Sequence, residues 1–325
     1  MSRKPKLTVF MPVYNRAHHV EAAIQSVLAQ NFEDFELLII DDGSTDESVA
    51  VVKRFSDRRL RLEHNDVNRG IPFTRNLGLE MASGEYIALL DSDDRMAPRR
   101  LERQVAFLDR RPDIATLGGW VTKVDARNRP VRRLIKPLHP DELKAWLLFR
   151  CSHANTSLMA RTSALREFGY DEDFYVSSDF DLSARMAGRY RAANLPYTLT
   201  WMREHGGRIT NSSGTRVQEA KVRIAERQLR ALDLPFDEQD LQRHCKLMRI
   251  KGKEWRDHPE LLDWTLEWLD RVQQANARAQ IYSPRALAGV FGQVWLYSCL
   301  HASKTIGKAK AFACFGQSPI CKGVG

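Results

Sequence analysis

No stretch of the sequence reaches the about eighteen uncharged apolar residues that a bilayer-spanning helix needs. The nearest, residues 286–300, is too short and is interrupted by Gln293. Residues 1–10 are a basic lead into an apolar strand and contain no signal-peptide core. Cysteine is scarce: the five (Cys151, Cys245, Cys299, Cys314, Cys321) are widely spaced, odd in number and never paired as CxxC. That pattern excludes a disulfide framework and a zinc ribbon and suits a reducing compartment, so a cytoplasmic location is expected. No GxGxxG follows the first strand and no GxxxxGK[ST] loop occurs, which argues against dinucleotide binding and P-loop chemistry. The chain also has no internal repeat and no low-complexity segment.

What is present is an ordinary globular composition with a charge bias. The chain has 325 residues, 43% hydrophobic and 28% charged, enough for a catalytic domain and an appendage. Its formal net charge of +9 implies an anionic partner. The Lys and Arg residues are dispersed and form no known nucleic-acid module, so no nucleic-acid partner is expected. A phosphorylated substrate or a membrane surface remains.

Short β-branched runs alternate with helical patterns through the first part. Strands are expected at 7–11, 35–40, 60–63 and 86–90, with helices at 19–30, 48–55 and 73–81 and another opened by Pro98. This alternation predicts an α/β fold with a mostly parallel central sheet covered on both faces. The run FELLII is almost continuously apolar, as a centrally buried parallel strand requires. Beyond about residue 114 the regularity weakens. From Thr215 the pattern is helical, with helices expected at 219–232 and 284–301 and a helical repeat through Leu261, Leu262, Leu266, Leu269 and Val272. The small polar run NSSGT separates a domain at 1–214 from a helical region at 215–325. Its lysine-bearing tail, 304–325, reads as partly disordered.

Three strands end in polar clusters: Pro12-Val13-Tyr14-Asn15-Arg16, Asp41-Asp42-Gly43-Ser44-Thr45-Asp46 and Asp91-Ser92-Asp93-Asp94. Ligands of open α/β sheets bind beyond the carboxyl ends of the strands, and parallel strands would bring these clusters to one edge. Helix capping explains Ser44, Thr45 and Asp46 but not the two acids before them. Asp91, Asp93 and Asp94 crowd carboxylates at one strand end, which repels unless a cation is near. Acids at i and i+2 can flank a hard divalent ion that also takes diphosphate oxygens.

The ordered series VFMPVYNR, SVLAQ, FELLIIDDGSTDES, NRGIPFTRNLGLEMASGEYIALLDSDD and SSDFDLSARMA resembles family 2 of the inverting glycosyltransferases, over residues of about 7–213. The resemblance implies a GT-A fold, a nucleotide diphosphate-sugar donor with UDP as the expected nucleotide, and Mn2+ or Mg2+. It implies that Pro12, Tyr14, Arg16, Asp42, Arg75, Asp91 and Ser92 line the nucleotide site, Asp42 bonding the base. It makes Asp91 and Asp93 the DxD acids, Asp93 and His205 the metal ligands, and Asp179 the catalytic base. Arg203 falls in the same late segment as His205. Ser178 stands where the family usually has Glu, and no QxxRW-like segment follows, which argues against a processive synthase.

The expected reaction is one inverting displacement by a hydroxyl of a glycan or lipid-linked acceptor, in cell-surface polysaccharide synthesis. Two other readings stay open. In one, Asp91 is the nucleophile of a magnesium-dependent phosphotransferase, although Arg95 then stands where a small hydroxyl residue is wanted. In the other, the chain is a glycan-binding module without catalysis. Plain structural readings also exist: Asp179 and Asp181 as helix-start acids, His205 as a loop histidine, and Trp264, Trp268 and Trp295 as packing residues. The apolar stretch 286–300 and the lysines beyond it suit a peripheral contact with a membrane.

Overall fold

The computed structural model describes residues 4–204, 214–248, 258 and 261–317. The chain forms two compact units, one of Met1–His139 with Ser152–Gly214, the other of Pro140–Cys151 with Thr215–Gly325.

The first unit is built on a nine-stranded sheet. Its first half holds β1 (Leu7–Val13), β2 (Phe35–Asp41), β3 (Leu60–His64) and β4 (Tyr86–Leu89) in the order β3-β2-β1-β4, every pair parallel. The crossovers carry α1 (Val20–Leu28), α2 (Ser48–Val52) and α3 (Ile71–Met81). Alternate residues of β1 and β2 enter opposite cores. Val9, Met11, Leu37 and Ile39 join one cluster, while Phe10, Leu38 and Ile40 join another. Burial on both faces is why these strands are apolar at nearly every position.

The second half is mixed. It contains β5 (Arg95–Met96), β6 (Ile114–Val124), β7 (Pro130–Leu134), β8 (Met159–Arg161) and β9 (Arg191–Arg203), with helices α4 (Arg100–Arg110), α6 (Thr162–Phe168) and α7 (Ser178–Met186). Strand β8 joins β4 to β6 by antiparallel pairing, β9 lies parallel to β6, and β5 and β7 pair antiparallel with β9 and β6. Because β1, β2 and β4 run the same way, the three polar clusters at their ends lie along one edge.

The second unit is helical: α5 (Pro140–Trp146), α8 (Gly214–Ala231), α9 (Glu238–Leu247), α10 (Leu261–Ala279), α11 (Pro284–Ile306) and α12 (Lys308–Gln317). A single cut at 214/215 does not describe it, because the segment 140–151 packs here. Phe149 meets Phe291 edge-on at 6.0 Å and His244 at 5.2 Å, and the Leu148 carbonyl accepts from His244. Trp268 and Trp295 are buried packing residues. The tail expected to be partly disordered is helical over Lys308–Gln317, where Ala311 is buried. Helix α11 starts cleanly, with the Ser283 hydroxyl capping Ala286 and Pro284 in the first turn. Among the described residues no helix is long and apolar enough to cross a membrane.

Candidate active site

The loops after β1 and β2 are braced against each other. The Asn15 amide donates to Ser44 Oγ (2.9 Å), and Asn15 Oδ1 accepts from the Thr45 amide (2.9 Å). The Arg16 amide donates to Ser48 Oγ (2.7 Å) and the Ala17 amide to Asp46 Oδ2 (3.0 Å). Asn15 takes a left-handed conformation (φ 51°) to make this turn, which Asn tolerates better than most residues. Asp46 also accepts from the Ser48 amide at 2.9 Å, just ahead of α2, whose N-cap position is Glu47.

Asp42 is buried and fully engaged. Its carboxylate accepts from Asn65 Nδ2 (2.8 Å), the Arg69 amide (3.0 Å) and the Gly70 amide (2.9 Å), fixing the 65–70 loop over the end of β2. In this structure it therefore organises the loop rather than presenting a bare carboxylate to a base. Gly43 (φ +71°) lies directly beneath that loop. A Cβ there would come within 2.6 Å of the Val67 carbonyl carbon and 2.7 Å of the Asn68 nitrogen.

The acid loop after β4 turns tightly, the Asp94 amide donating to the Asp91 carbonyl at 3.0 Å. The three carboxylates then separate. Asp94 Oδ1 accepts from the Arg203 amide (3.1 Å), tying the loop to the end of β9. Asp93 Oδ2 lies 3.5 Å from Arg16 Nε, and Asp91 Oδ1 lies 3.8 Å from Arg75 Nη2. Each remaining acid thus faces an arginine from a different element, Arg16 in the loop after β1 and Arg75 on α3, and Ser92 is buried between them.

Beneath the loop lies Arg100, which is fully buried. Its guanidinium donates to the carbonyls of Leu89, Thr156 and Leu158 and to Gln104 Oε1 and Thr200 Oγ1. Burial pulls its pKa down to about 9, while Asp91 and Asp94 push it back up, so it stays charged at neutral pH. Arg100 was not singled out from the sequence. The available signal was an Arg-Arg pair opening a helix, the end where the macrodipole disfavours cations. Asn155 and Thr156 were also missed. Asn155 Nδ2 donates to Asp91 Oδ1 (3.3 Å), the Asp91 amide donates to Thr156 Oγ1 (3.4 Å), and Asn155 Oδ1 is buried without a partner among the described residues.

Arg75 links the acid loop to α7. It is 9% exposed, its Nη1 donates to Ser178 Oγ (2.9 Å), and its guanidinium lies 5.3 Å from the Tyr170 ring centre. Ser178 thus has a side-chain partner at the position where the family usually has Glu. The two acids of α7 differ sharply. Asp181 is fully buried, paired with Arg185 Nε at 2.7 Å, and Arg185 continues to the carbonyls of Phe168 and Gly169. Asp179 is half-buried in the first turn, and among the described residues its carboxylate has neither a hydrogen bond nor an ion pair. Tyr14 is exposed, and Pro12 lies in β1 between buried neighbours. His205 lies outside the described residues.

Asp91 and Asp93 offer hard oxygen donors suited to Mg2+ or Mn2+. Among the described residues no three His, Cys, Asp or Glu gather closely enough to hold an ion. Diphosphate oxygens and water could fill further positions around an ion here, and the hard oxygen donors of Asp91 and Asp93 fit that arrangement.

Residues 8–169 match the family described as Glycosyl transferase family 2. Among curated relatives, an uncharacterized glycosyltransferase of Haemophilus influenzae is 26% identical over 65% of this chain and 69% of its own length. A putative colanic acid biosynthesis glycosyl transferase, WcaA of Escherichia coli, is 27% identical over 58% of this chain and 69% of its own. The chain spans from 32% to 69% of the length of such relatives. Among solved structures, Staphylococcus aureus TarS residues 1–349 in complex with UDP-GlcNAc aligns over 96% of this chain and 92% of that one, with a TM-score of 0.58 and 18% identity. The mannosyltransferase PcManGT of Pyrobaculum calidifontis, in complex with GDP-Man and Mn2+, aligns over 98% and 88%, with a TM-score of 0.56 and 20% identity. The fold is of the GT-A type, and the strand-end site lies where such sheets bind their ligands. This chain belongs to glycosyltransferase family 2. The matched region includes Asp42, Arg75, Asp91 and Asp93 and ends ten residues before Asp179.

Proposed function

We propose that this chain transfers a sugar from a nucleoside diphosphate-sugar, with UDP as the nucleotide, to a hydroxyl of a glycan or lipid-linked acceptor, inverting the anomeric centre. The observation that carries this is Arg75, which joins Asp91 at the acid loop to Ser178 at the start of α7. Asp179 is the next residue, and among the described residues its carboxylate has no partner, which supports a role for it beside the acids expected to face the diphosphate.

In this reading Tyr14 and Pro12 border the base, and Asp42 shapes the base pocket by holding the 65–70 loop. Arg16, Arg75 and Ser92 orient the diphosphate. Asp93 and Asp91, with His205, would hold Mn2+ or Mg2+, which when bound neutralises charge developing on the leaving diphosphate. The acceptor oxygen attacks the anomeric carbon as the bond to the diphosphate oxygen breaks. Asp179 takes the hydroxyl proton, a contribution of about 10²–10⁴ in rate. The nucleoside diphosphate leaves. The named role of WcaA and the chain's basic charge support an acceptor in cell-surface polysaccharide synthesis.

The test is a panel of nucleoside diphosphates and nucleotide sugars with Mn2+ or Mg2+, read by thermal shift and by nucleoside diphosphate release. Binding by the folded state raises the melting temperature by mass action. We expect a shift with one nucleotide class that Asp93→Ala abolishes and Asp91→Ala weakens less. An Asp93→Ala protein that binds donor with unchanged metal dependence would falsify the metal assignment. No shift and no release with any donor would overturn the transferase reading.

A further inference from the structure

Helix α11 leaves one face uncovered. At 100° per residue, Arg285, Gly289, Gln293, Leu296, Tyr297, Leu300 and Lys304 fall within an arc of about 120°. Leu296, Tyr297 and Leu300 are 38%, 43% and 55% exposed, three adjacent apolar side chains on a helix whose opposite face buries Leu287, Phe291, Trp295 and Cys299. Adjacent exposed apolar side chains of this size mark an interaction surface more often than single ones do.

Charge identifies the partner. From Arg271 to Gly325 the sequence holds no Asp or Glu, while Arg271, Arg278, Arg285, Lys304, Lys308, Lys310 and Lys322 are all basic. Lys304, Lys308 and Lys310 are exposed and follow the apolar patch directly, on the last turn of α11 and the first of α12. A patch of leucine and tyrosine bordered by one-sign basic charge is the pattern of a helix lying in the headgroup region of an anionic bilayer. A protein partner would need a matching apolar and acidic face. A second copy of this chain would bring the same basic segment against itself.

We propose that the α11 face formed by Leu296, Tyr297 and Leu300, with Lys304, Lys308 and Lys310, docks on an anionic lipid surface without crossing it. The tyrosine places an apolar ring and a polar hydroxyl at the boundary between chains and headgroups, and the lysines remain at the phosphate level. This inference does not depend on the transferase chemistry.

The test is co-sedimentation of the full chain with vesicles of phosphatidylglycerol and phosphatidylcholine, and with phosphatidylcholine alone, at low and high salt. Binding is expected to the anionic vesicles only and to fall with salt. Leu296→Ser with Leu300→Ser, and separately Lys304→Gln with Lys308→Gln, should each weaken partitioning by about tenfold or more. Melting curves and release of nucleoside diphosphate without vesicles check that both variants fold. Either of two results overturns the proposal: no binding to anionic vesicles at low salt, or binding that both folded variants retain. A third overturning result is self-association of the wild type, by sedimentation velocity, that the leucine variant abolishes while vesicle binding persists.

Discussion

The two units use buried polar groups differently. In the helical unit the network around His244 is closed, while Trp295 Nε1 is buried without a partner among the described residues. Trp268 Nε1 donates to His244 Nδ1 at 3.0 Å and His244 Nε2 donates to the Leu148 carbonyl at 2.9 Å, so one neutral tautomer fills both bonds. Asn276 clasps Tyr282 with two main-chain bonds of 2.9 and 2.8 Å. In the sheet unit only the rear layer is closed in this manner, by Asp42, Arg100 and Asp181. The front layer faces charge to charge at 3.5 and 3.8 Å, and Asp179 has no partner among the described residues. Polar groups that complete one another hold a fold together. Charges that face one another at these longer distances are placed to meet something that arrives.

That contrast makes separable predictions. The largest effect is expected at Asp179. Asp179→Asn should lower turnover by about 10²-fold or more while nucleoside diphosphate affinity and melting temperature barely change. Steady-state kinetics beside calorimetry decide this, and near-normal turnover would break the contrast at its centre. Arg100→Met should do the reverse. It takes a donor from the carbonyls of Leu89, Thr156 and Leu158, although Leu158 keeps the Leu89 amide and Thr156 the Thr200 hydroxyl, at a cost of about 3–5 kcal/mol in denaturant unfolding.

Each unit also carries a buried histidine whose pKa is lowered mainly by burial, His153 to about 3 and His244 to about 4. Below the ordinary value of 6.5 the unfolded chain binds protons that these folded rings refuse. Stability should therefore be full above pH 6.5 and fall as pH drops toward 4, by roughly 3 kcal/mol for His244. Urea titrations at several pH values, with His153→Gln and His244→Gln, should each lose about one proton of pH slope; an unchanged slope would show the ring is charged or exposed. The smallest effect is expected at Asp181. Asp181→Asn keeps an acceptor for Arg185 but removes the buried charge, costing about 2 kcal/mol of stability with turnover reduced only slightly. A dead but stable Asp181→Asn enzyme would exchange the roles of the two acids.

The strands of the first half were legible because burial on both faces writes itself as FELLII, and the acids because no packing reason accounts for them. The long parallel pairing of β6 with β9 was not, since its partners lie about 75 residues apart and local periodicity records a face, not its neighbour. The same limit hid the packing of residues 140–151 with the helical unit. Arg100 was hard to read for a different reason: a buried arginine and a surface one have the same letter, and beyond its place at a helix start only its main-chain partners distinguish it. Asp179 and Asp181 were told apart in the sequence only by the family resemblance, and the physical difference is the turn of the helix that pairs Asp181 with Arg185.

The lap of the 65–70 loop over Gly43 transfers constraint in one direction only. The atoms that would meet a Cβ at position 43 belong to the main chain of Val67 and Asn68. The Val67 side chain points away and is 62% exposed. A saturation library should therefore find position 43 closed to all nineteen alternatives, while position 67, in contact with it, accepts most of them. Touching residues need not share a mutational fate: position 67 supplies only the path of its backbone, and position 43 must supply the absence of a side chain.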